Sequence, residues 1–308
     1  MTVTQPIWIG ADEVFARVDY ATAAHAVQRA LRDGLDPAQD VSRSVVPVTH
    51  GQVILMPAET SEFAGVKIVT VAMGNPALGK PVIQGVYVLM DATTLSPVAL
   101  IDGTALTTLR TPAVSAAVAE FLAPEIIEHL VVFGAGTQAA GHVAAMRSIR
   151  SIQRISIVEP DPDRGAALVA NLVAGGIDAR VGTADDVVDA QLIVCATTSR
   201  TPLFDGGLVP QDSLTVAMGA YEPDARELDS TLVARAQVVV EDVGVARRES
   251  GDVIFPLAEG VIAPESLLTM REIITGAVAV EHGRPRVYTG SGMSWEDLVV
   301  ATEIFKAD

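Results

Sequence analysis

Residues 131–139 read Val131-Val132-Phe133-Gly134-Ala135-Gly136-Thr137-Gln138-Ala139, an apolar strand running into G-x-G-x-x-A and on into the helical pattern TQAAGHVAAMRSI. The first glycine of such a turn permits the tight bend, the second lets backbone N–H groups approach a pyrophosphate, and a small third residue lets helix and strand pack closely. A glycine turn alone is also found as plain structure; the strand before it and the helix after it point to a dinucleotide. Gly134, Gly136, Thr137, Gln138 and Ala139 are therefore the first cofactor-binding candidates. The next strand ends at Val158-Glu159, and 159 − 139 = 20, the separation at which an acid meets the adenosine ribose. A carboxylate there accepts from the ribose 2′-hydroxyl of NAD and repels a 2′-phosphate, so Glu159 predicts NADH as the preferred cofactor and NADPH as the alternative. Asp161 is the reserve if the strand ends later.

Working outward, the chain from His129 alternates HLVVFG, TQAAGHVAAMRSI, RISIVEP, DRGAALVANLVAG, IDARVG and QLIVCAT, with LTVAMGA and QVVVED as later strands. Repeated βα units of this length imply a parallel sheet covered by helices. Between Arg43 and Asp102 the texture changes to short β-branched runs, RSVVPV, QVILMP, GVKIVTVAM, QGVYVLMD and SPVALIDG, which read as a mostly antiparallel region. Residues 12–33 form an amphipathic helix with Tyr20, Ala24, Val27 and Leu31 on one face, and residues 104–122 return to helix, with a break or a start near Thr111-Pro112. A last helix carries Trp295, Leu298, Val299 and Ile304, and nothing in it says where it packs. The fold class is α/β: a Rossmann-type dinucleotide-binding domain with an α+β region before it.

Composition narrows the function. Of 308 residues, 49% are hydrophobic, enough for a sizeable core, while 38 acidic against 21 basic residues give a formal charge of −17 that repels nucleic acid and anionic membranes. The N-terminus lacks a signal-peptide pattern and no apolar run approaches a bilayer span, so a cytoplasmic protein is expected. One cysteine, Cys195, and five scattered histidines offer neither a disulfide framework nor a metal site.

Along nearly the whole chain the sequence resembles the ornithine cyclodeaminase/mu-crystallin family. The matching segments are RSVVPV with the later LMPA, GVKIVTV, IDGTALTTLRTPAVSAA, FGAGTQA, MGAYEPDARELD, RRESGDV and SGMSWED. RSVVPV, LRTPAVSAA and ESGD look more like the ketimine-reductase members than the cyclodeaminases. The resemblance implies a homodimer acting with NAD(P) on a small anionic imino or amino acid. It also implies a substrate-binding and dimerisation domain of residues 1–122 with 292–308, split by a dinucleotide-binding domain of residues 123–291. An NADH-dependent reductase of a 2-imino acid is the leading expectation. An ornithine-type cyclodeaminase, an amino-acid dehydrogenase and a non-catalytic crystallin-like binder are the alternatives.

Site residues follow from the same match. Arg43 and Arg110 fall at positions that bind the substrate carboxylate, which a guanidinium can grip through two parallel hydrogen bonds. Lys67, a lone ammonium in the apolar run Gly65-Val66-Lys67-Ile68-Val69, falls at a substrate-contacting position as carboxylate ligand or proton donor. Gln84 matches a polar position near the substrate, whereas His50 in its glycine-containing turn reads as structural or exposed rather than catalytic. Thr197 ends a strand that lies against a dinucleotide, and Ser291, Gly292 and Met293 match the segment beside the nicotinamide. One departure stands out. Where cyclodeaminases and related alanine dehydrogenases carry an aspartate near the reacting amine, this chain has Tyr221, with Glu222 and Asp224 as neighbouring carboxylates. A phenol of ordinary pKa about 10 is a poor base at neutral pH, which favours imine reduction over deamination.

Overall fold

The β-branched runs before Asp102 form a six-stranded sheet in the computed structural model, which describes residues 5–219 and 222–307. Its strands are β1 (Ile7–Ile9), β2 (Ser44–Val48), β3 (Gly51–Glu59), β4 (Phe63–Val71), β5 (Ile83–Asp91) and β6 (Pro97–Asp102), in the order β1-β6-β5-β4-β3-β2. All pairs are antiparallel except the short β1 against β6. Burial follows the two-residue period of the pleat: Met56 and Ala58 on β3, Lys67 and Val69 on β4, Tyr87 and Leu89 on β5, and Ala99 and Ile101 on β6 are all inside.

The helix expected over residues 12–33 is two, α1 (Ala11–Arg17) and α2 (Tyr20–Arg32). The chain breaks at Val18-Asp19 because Asp19 caps α2, its carboxylate accepting from Thr22 N–H at 2.8 Å. By contrast α3 (Gly103–Leu122) runs unbroken through Pro112, where the sequence suggests a break or a start. Leu106, Leu109, Ala113, Val114, Ala116, Ala117 and Val118 are all fully buried. A buried leucine or valine contributes about 1.5–3 kcal/mol, so this packing outweighs the roughly 3 kcal/mol penalty of an interior proline.

The chain divides into two compact units, one reaching to Val114 and resuming at Met293, the other Ser115–Gly292. The first divide therefore falls inside α3 rather than after residue 122, and the second follows Gly292 rather than residue 291.

The second unit is built on eight strands: β7 (Ile127–Phe133), β8 (Ile152–Val158), β9 (Ala179–Val181), β10 (Leu192–Cys195), β11 (Leu214–Ala217), β12 (Gln237–Val240), β13 (Leu268–Thr269) and β14 (Arg286–Thr289). They lie in the order β13-β12-β14-β11-β10-β7-β8-β9, every pair parallel. The central strands are buried throughout, as a sheet covered on both faces requires. The connecting helices are α4 (Thr137–Ile149), α5 (Pro162–Ala174), α6 (Ser230–Arg235), α7 (Val243–Glu249), α8 (Gly251–Ala258) and α9 (Met270–Ile274). The chain builds outward from β7 to β9 and then returns to place β10 on the other side of β7. Such a switch point opens a crevice at the carboxyl ends of the two strands, the usual place for a ligand in an open parallel sheet.

The last helix, α10 (Ser294–Lys306), belongs to the first unit, where it packs against β3, β4, β5 and α2. No helix among the described residues is long and apolar enough to cross a membrane.

Candidate active site

At the switch point the turn after β7 has the geometry its sequence suggests. Gly134 has φ +102°, and a Cβ there would lie 2.6 Å from the Ala196 carbonyl oxygen, so both the torsion and the close approach of the β10 end demand glycine. Gly136 is the N-cap of α4 and provides no side-chain acceptor, which leaves the helix N-terminus without a cap from its own N-cap residue. Ala139 is fully buried where α4 meets the sheet, and Thr137 and Gln138 form the first turn. A tight glycine turn followed by the uncapped N-terminus of α4, where a Cβ on Gly136 would meet nothing closer than 3.8 Å, fits a pyrophosphate at the positive end of a helix.

Glu159, just past β8, folds back onto this turn. Its Oε2 accepts from Ala135 N–H at 2.9 Å and its Oε1 from Asp161 N–H at 3.2 Å, and the side chain is only 9% exposed. It is thus a held carboxylate beside the glycine turn and not a solvated loop acid. Asp161 is occupied differently, as the N-cap of α5 accepting from Asp163 and Arg164 N–H.

Two buried acids that carry no role in the sequence reading shape the rest of this edge. Glu227 takes both the N–H and the hydroxyl of Thr197 on Oε1, at 2.8 and 2.7 Å, and Gly219 N–H on Oε2 at 2.7 Å. Asp252 in turn accepts from the N–H groups of Glu227 and Leu228, both at 2.8 Å, and burial pushes its pKa up to about 7. Thr197 is therefore fixed by a carboxylate 30 residues away, and both acids lie within quoted motifs, ARELD and ESGD. Glu241 does the same for the segment before α10. It accepts from Ser291 N–H at 3.0 Å and from Gly292 N–H at 3.1 Å, and a Cβ at Gly290 would lie 2.4 Å from its Oε1. Tyr221 lies outside the described residues.

In the first unit the antiparallel register lays Met56, Lys67, Tyr87 and Ile101 in one row across β3, β4, β5 and β6, all on the buried face. β4 is an interior strand and Lys67 is 2% exposed, so its ammonium is neither at an edge nor in water. Its Nζ sits 2.6 Å from Asp297 Oδ2, while Arg110 Nε donates to Asp297 Oδ1 at 3.0 Å and Arg110 Nη1 to Glu296 Oε2 at 2.7 Å. Both acids are fully buried in the first turn of α10. Burial, and then the neighbouring charge of Arg110, lower the Lys67 pKa to about 8, with Asp297 opposing the shift. The start of α10 is capped from outside itself: the N-cap is Met293, not Ser294, and Asp40 accepts Ser294 N–H at 2.8 Å. Burial raises Asp40 to about 6.

Arg43, half-buried, directly precedes β2. Ser44 pairs with Leu55, so one further step along the ladder brings Arg43 level with Met56 in the Lys67 row, two strands or about 10 Å from Lys67. Gln84, by contrast, is exposed, and its odd spacing from Tyr87 puts it on the opposite face of β5. His50 is exposed in the β2–β3 turn. The fold therefore brings Lys67 and Arg110 together and Arg43 to their row, adds Glu296, Asp297 and Asp40, and leaves Gln84 out.

The model of the ornithine cyclodeaminase/mu-crystallin family matches residues 9–307. An alanine dehydrogenase of Archaeoglobus fulgidus is 28% identical over 302 residues, covering 96% of this chain and 92% of its own length. A Delta(1)-pyrroline-2-carboxylate reductase 2 of Burkholderia ambifaria is 31% identical over 295 residues, covering 94% and 91%. Among solved structures, the Thermococcus litoralis Delta(1)-pyrroline-2-carboxylate reductase in complex with NADH and L-proline superposes with a TM-score of 0.89 at 25% identity, covering 98% of this chain and 97% of the other.

Proposed function

The chain belongs to the ornithine cyclodeaminase/mu-crystallin family, and from that premise we propose that it is an NADH-dependent reductase that converts a small 2-imino acid to the amino acid. The observation that carries the reading is the buried Lys67, whose pKa is lowered to about 8 beside Arg110, Asp297 and Glu296. Reducing a C=N bond next to a carboxylate requires a proton for nitrogen, a cation for the carboxylate and a site that orients both. Bound NADH supplies the hydride. Lys67 delivers the proton to the imine nitrogen, Arg43 and Arg110 orient the carboxylate, and Tyr221 donates a hydrogen bond to the nitrogen. Gly134, Gly136, Thr137, Gln138 and Ala139 hold the pyrophosphate, Glu159 the ribose, and Thr197, Ser291, Gly292 and Met293 the nicotinamide end. The test is to supply the purified protein with NADH and Delta(1)-pyrroline-2-carboxylate, or with 2-oxo acids plus ammonia, and follow cofactor consumption; none with any imine would sink the reading.

The held Glu159 carboxylate opposes the extra phosphate of NADPH, whose charge is about −1.5 to −2. NADH should therefore give the higher kcat/KM, and Glu159→Ser should erode the preference chiefly through the KM for cofactor. Equal or better use of NADPH by the wild type would remove Glu159 from this role.

With Tyr221 where the deaminating relatives carry an aspartate, L-ornithine incubated with NAD should yield no proline and no ammonia. Robust proline formation would mean that Glu222 or Asp224 supplies a base.

We assign the first unit to substrate binding and dimerisation and place the protein in the cytoplasm. Support for a homodimer comes from β2, an edge strand whose Val45, Val46 and Val48 are 45–51% exposed, a row of apolar side chains beside unpaired backbone that natural edges normally cover. Light scattering at micromolar concentration should return twice the chain mass, and a monomer mass would refute it.

A further inference from the structure

We infer that Glu227 is a positioning residue for hydride transfer: its one buried carboxylate ties the ends of β10 and β11 together and so sets where the nicotinamide ring is held. This deepens the reductase reading and rests on it. β10 and β11 are neighbours in the parallel sheet, and Cys195 pairs with Ala217 at the last step of their ladder. Met218 N–H then donates to the Cys195 carbonyl at 3.0 Å. Two residues beyond that last pair, Thr197 and Gly219 stand level on the two strands, and Glu227 receives both. Its Oε1 takes the N–H and hydroxyl of Thr197 at 2.8 and 2.7 Å, and its Oε2 takes Gly219 N–H at 2.7 Å. The ends approach so closely that a Cβ on Gly219 would collide with the Thr197 carbonyl oxygen and lie 2.6 Å from Glu227 Oε1.

The clamp is itself held still. Asp252 Oδ1 accepts from the N–H groups of Glu227 and Leu228 at 2.8 Å each, and Leu203 N–H donates to the Glu227 carbonyl at 2.9 Å. Glu227 is fully buried, and a buried carboxylate is costly where well-packed apolar side chains serve stability as well or better. Stability alone therefore does not account for an acid here, whereas placement does. Ligands of open parallel sheets lie at the carboxyl ends of the strands, and Glu227 joins two such ends, one of them carrying Thr197. Hydride transfer needs the reacting carbons about 3–3.5 Å apart and aligned, and a displacement of about 1 Å costs on the order of 100-fold in rate. Glutamine at this position keeps the length but has one acceptor oxygen. It turns N–H toward either Thr197 or Gly219, so one strand end is released.

The experiment compares wild type with Glu227→Gln. Fluorescence titration with NADH gives the dissociation constant and the number of binding sites, and kcat per site is read with saturating NADH and Delta(1)-pyrroline-2-carboxylate. In Glu227→Gln, kcat per site should fall by about 10–100-fold while NADH affinity stays nearly as it is, because the glycine turn and Glu159 are untouched. A merely structural acid would lower the number of sites and leave kcat per site unchanged. Wild-type kcat per site, or a loss confined to NADH affinity, would therefore overturn the inference and leave the reductase reading intact. If Glu227→Gln fails to fold, Thr197→Val, which withdraws the hydroxyl from Glu227 Oε1 at nearly constant size, decides by the same split. A lower kcat per site at near wild-type affinity then supports the inference, and an unchanged kcat per site overturns it. A wild type that consumes no NADH with any imine overturns the reductase reading, and this inference with it.

Discussion

Replacing Lys67 with methionine should lower kcat for imine reduction by on the order of 10²–10⁴, the usual contribution of a positioned general acid. The pH dependence separates this role from plain packing. Reduction consumes a proton, so it needs Lys67 protonated; with its pKa lowered to about 8, the wild-type rate should hold below about pH 8 and fall above it. The reverse reaction, oxidation of the amino acid, needs the neutral amine and should rise through the same pH. Both limbs should disappear in Lys67→Met. Lys67→Arg keeps a positive charge for Asp297 but holds its proton through this range, so it should keep most of the stability and little of the rate. A Lys67→Met enzyme with wild-type kcat and an unchanged pH profile would assign the proton to another group.

Arg110 should tolerate no conservative change. Its guanidinium reaches Asp297 through Nε and Glu296 through Nη1, two carboxylates on separate sides of one planar fork, and an ammonium cannot reproduce that span. Arg110→Lys should lose about 1.5–3 kcal/mol in kcat/KM, with NADH affinity nearly unchanged. Arg110→Ala takes the guanidinium away from two buried carboxylates and should reduce stability by about 3–5 kcal/mol, read from denaturant midpoints at constant slope. Wild-type turnover in Arg110→Lys would remove Arg110 from the site.

The glycine turn, the parallel sheet and the exceptional lysine are legible in the sequence because each rests on a local rule. A strand-turn-helix needs glycine where φ is positive, βα units repeat at a fixed length, and an ammonium inside an apolar run calls for an explanation. The acids that complete the site are not legible in this way. Asp297 and Glu296 stand in the first turn of α10, where a carboxylate ordinarily faces solvent and the helix dipole, and their partner Arg110 is 187 and 186 residues away. Asp40 caps a helix that begins 254 residues later. Glu227 and Glu241 follow the same pattern, buried acids that hold the backbone of distant loops. No spacing rule predicts such pairings, which exist only once the sheets have formed. Pro112 fails for the opposite reason: the local rule is sound, and the packing of α3 overrides it.

Hydride transfer from the nicotinamide to the imine carbon of a small 2-imino acid can be followed with NADH deuterated at the transferable position of C4 and Delta(1)-pyrroline-2-carboxylate. Proline with one deuterium at its α-carbon should form in step with NADH loss. Proline lacking that label, or NADH that persists while the imine remains unreduced, would contradict it.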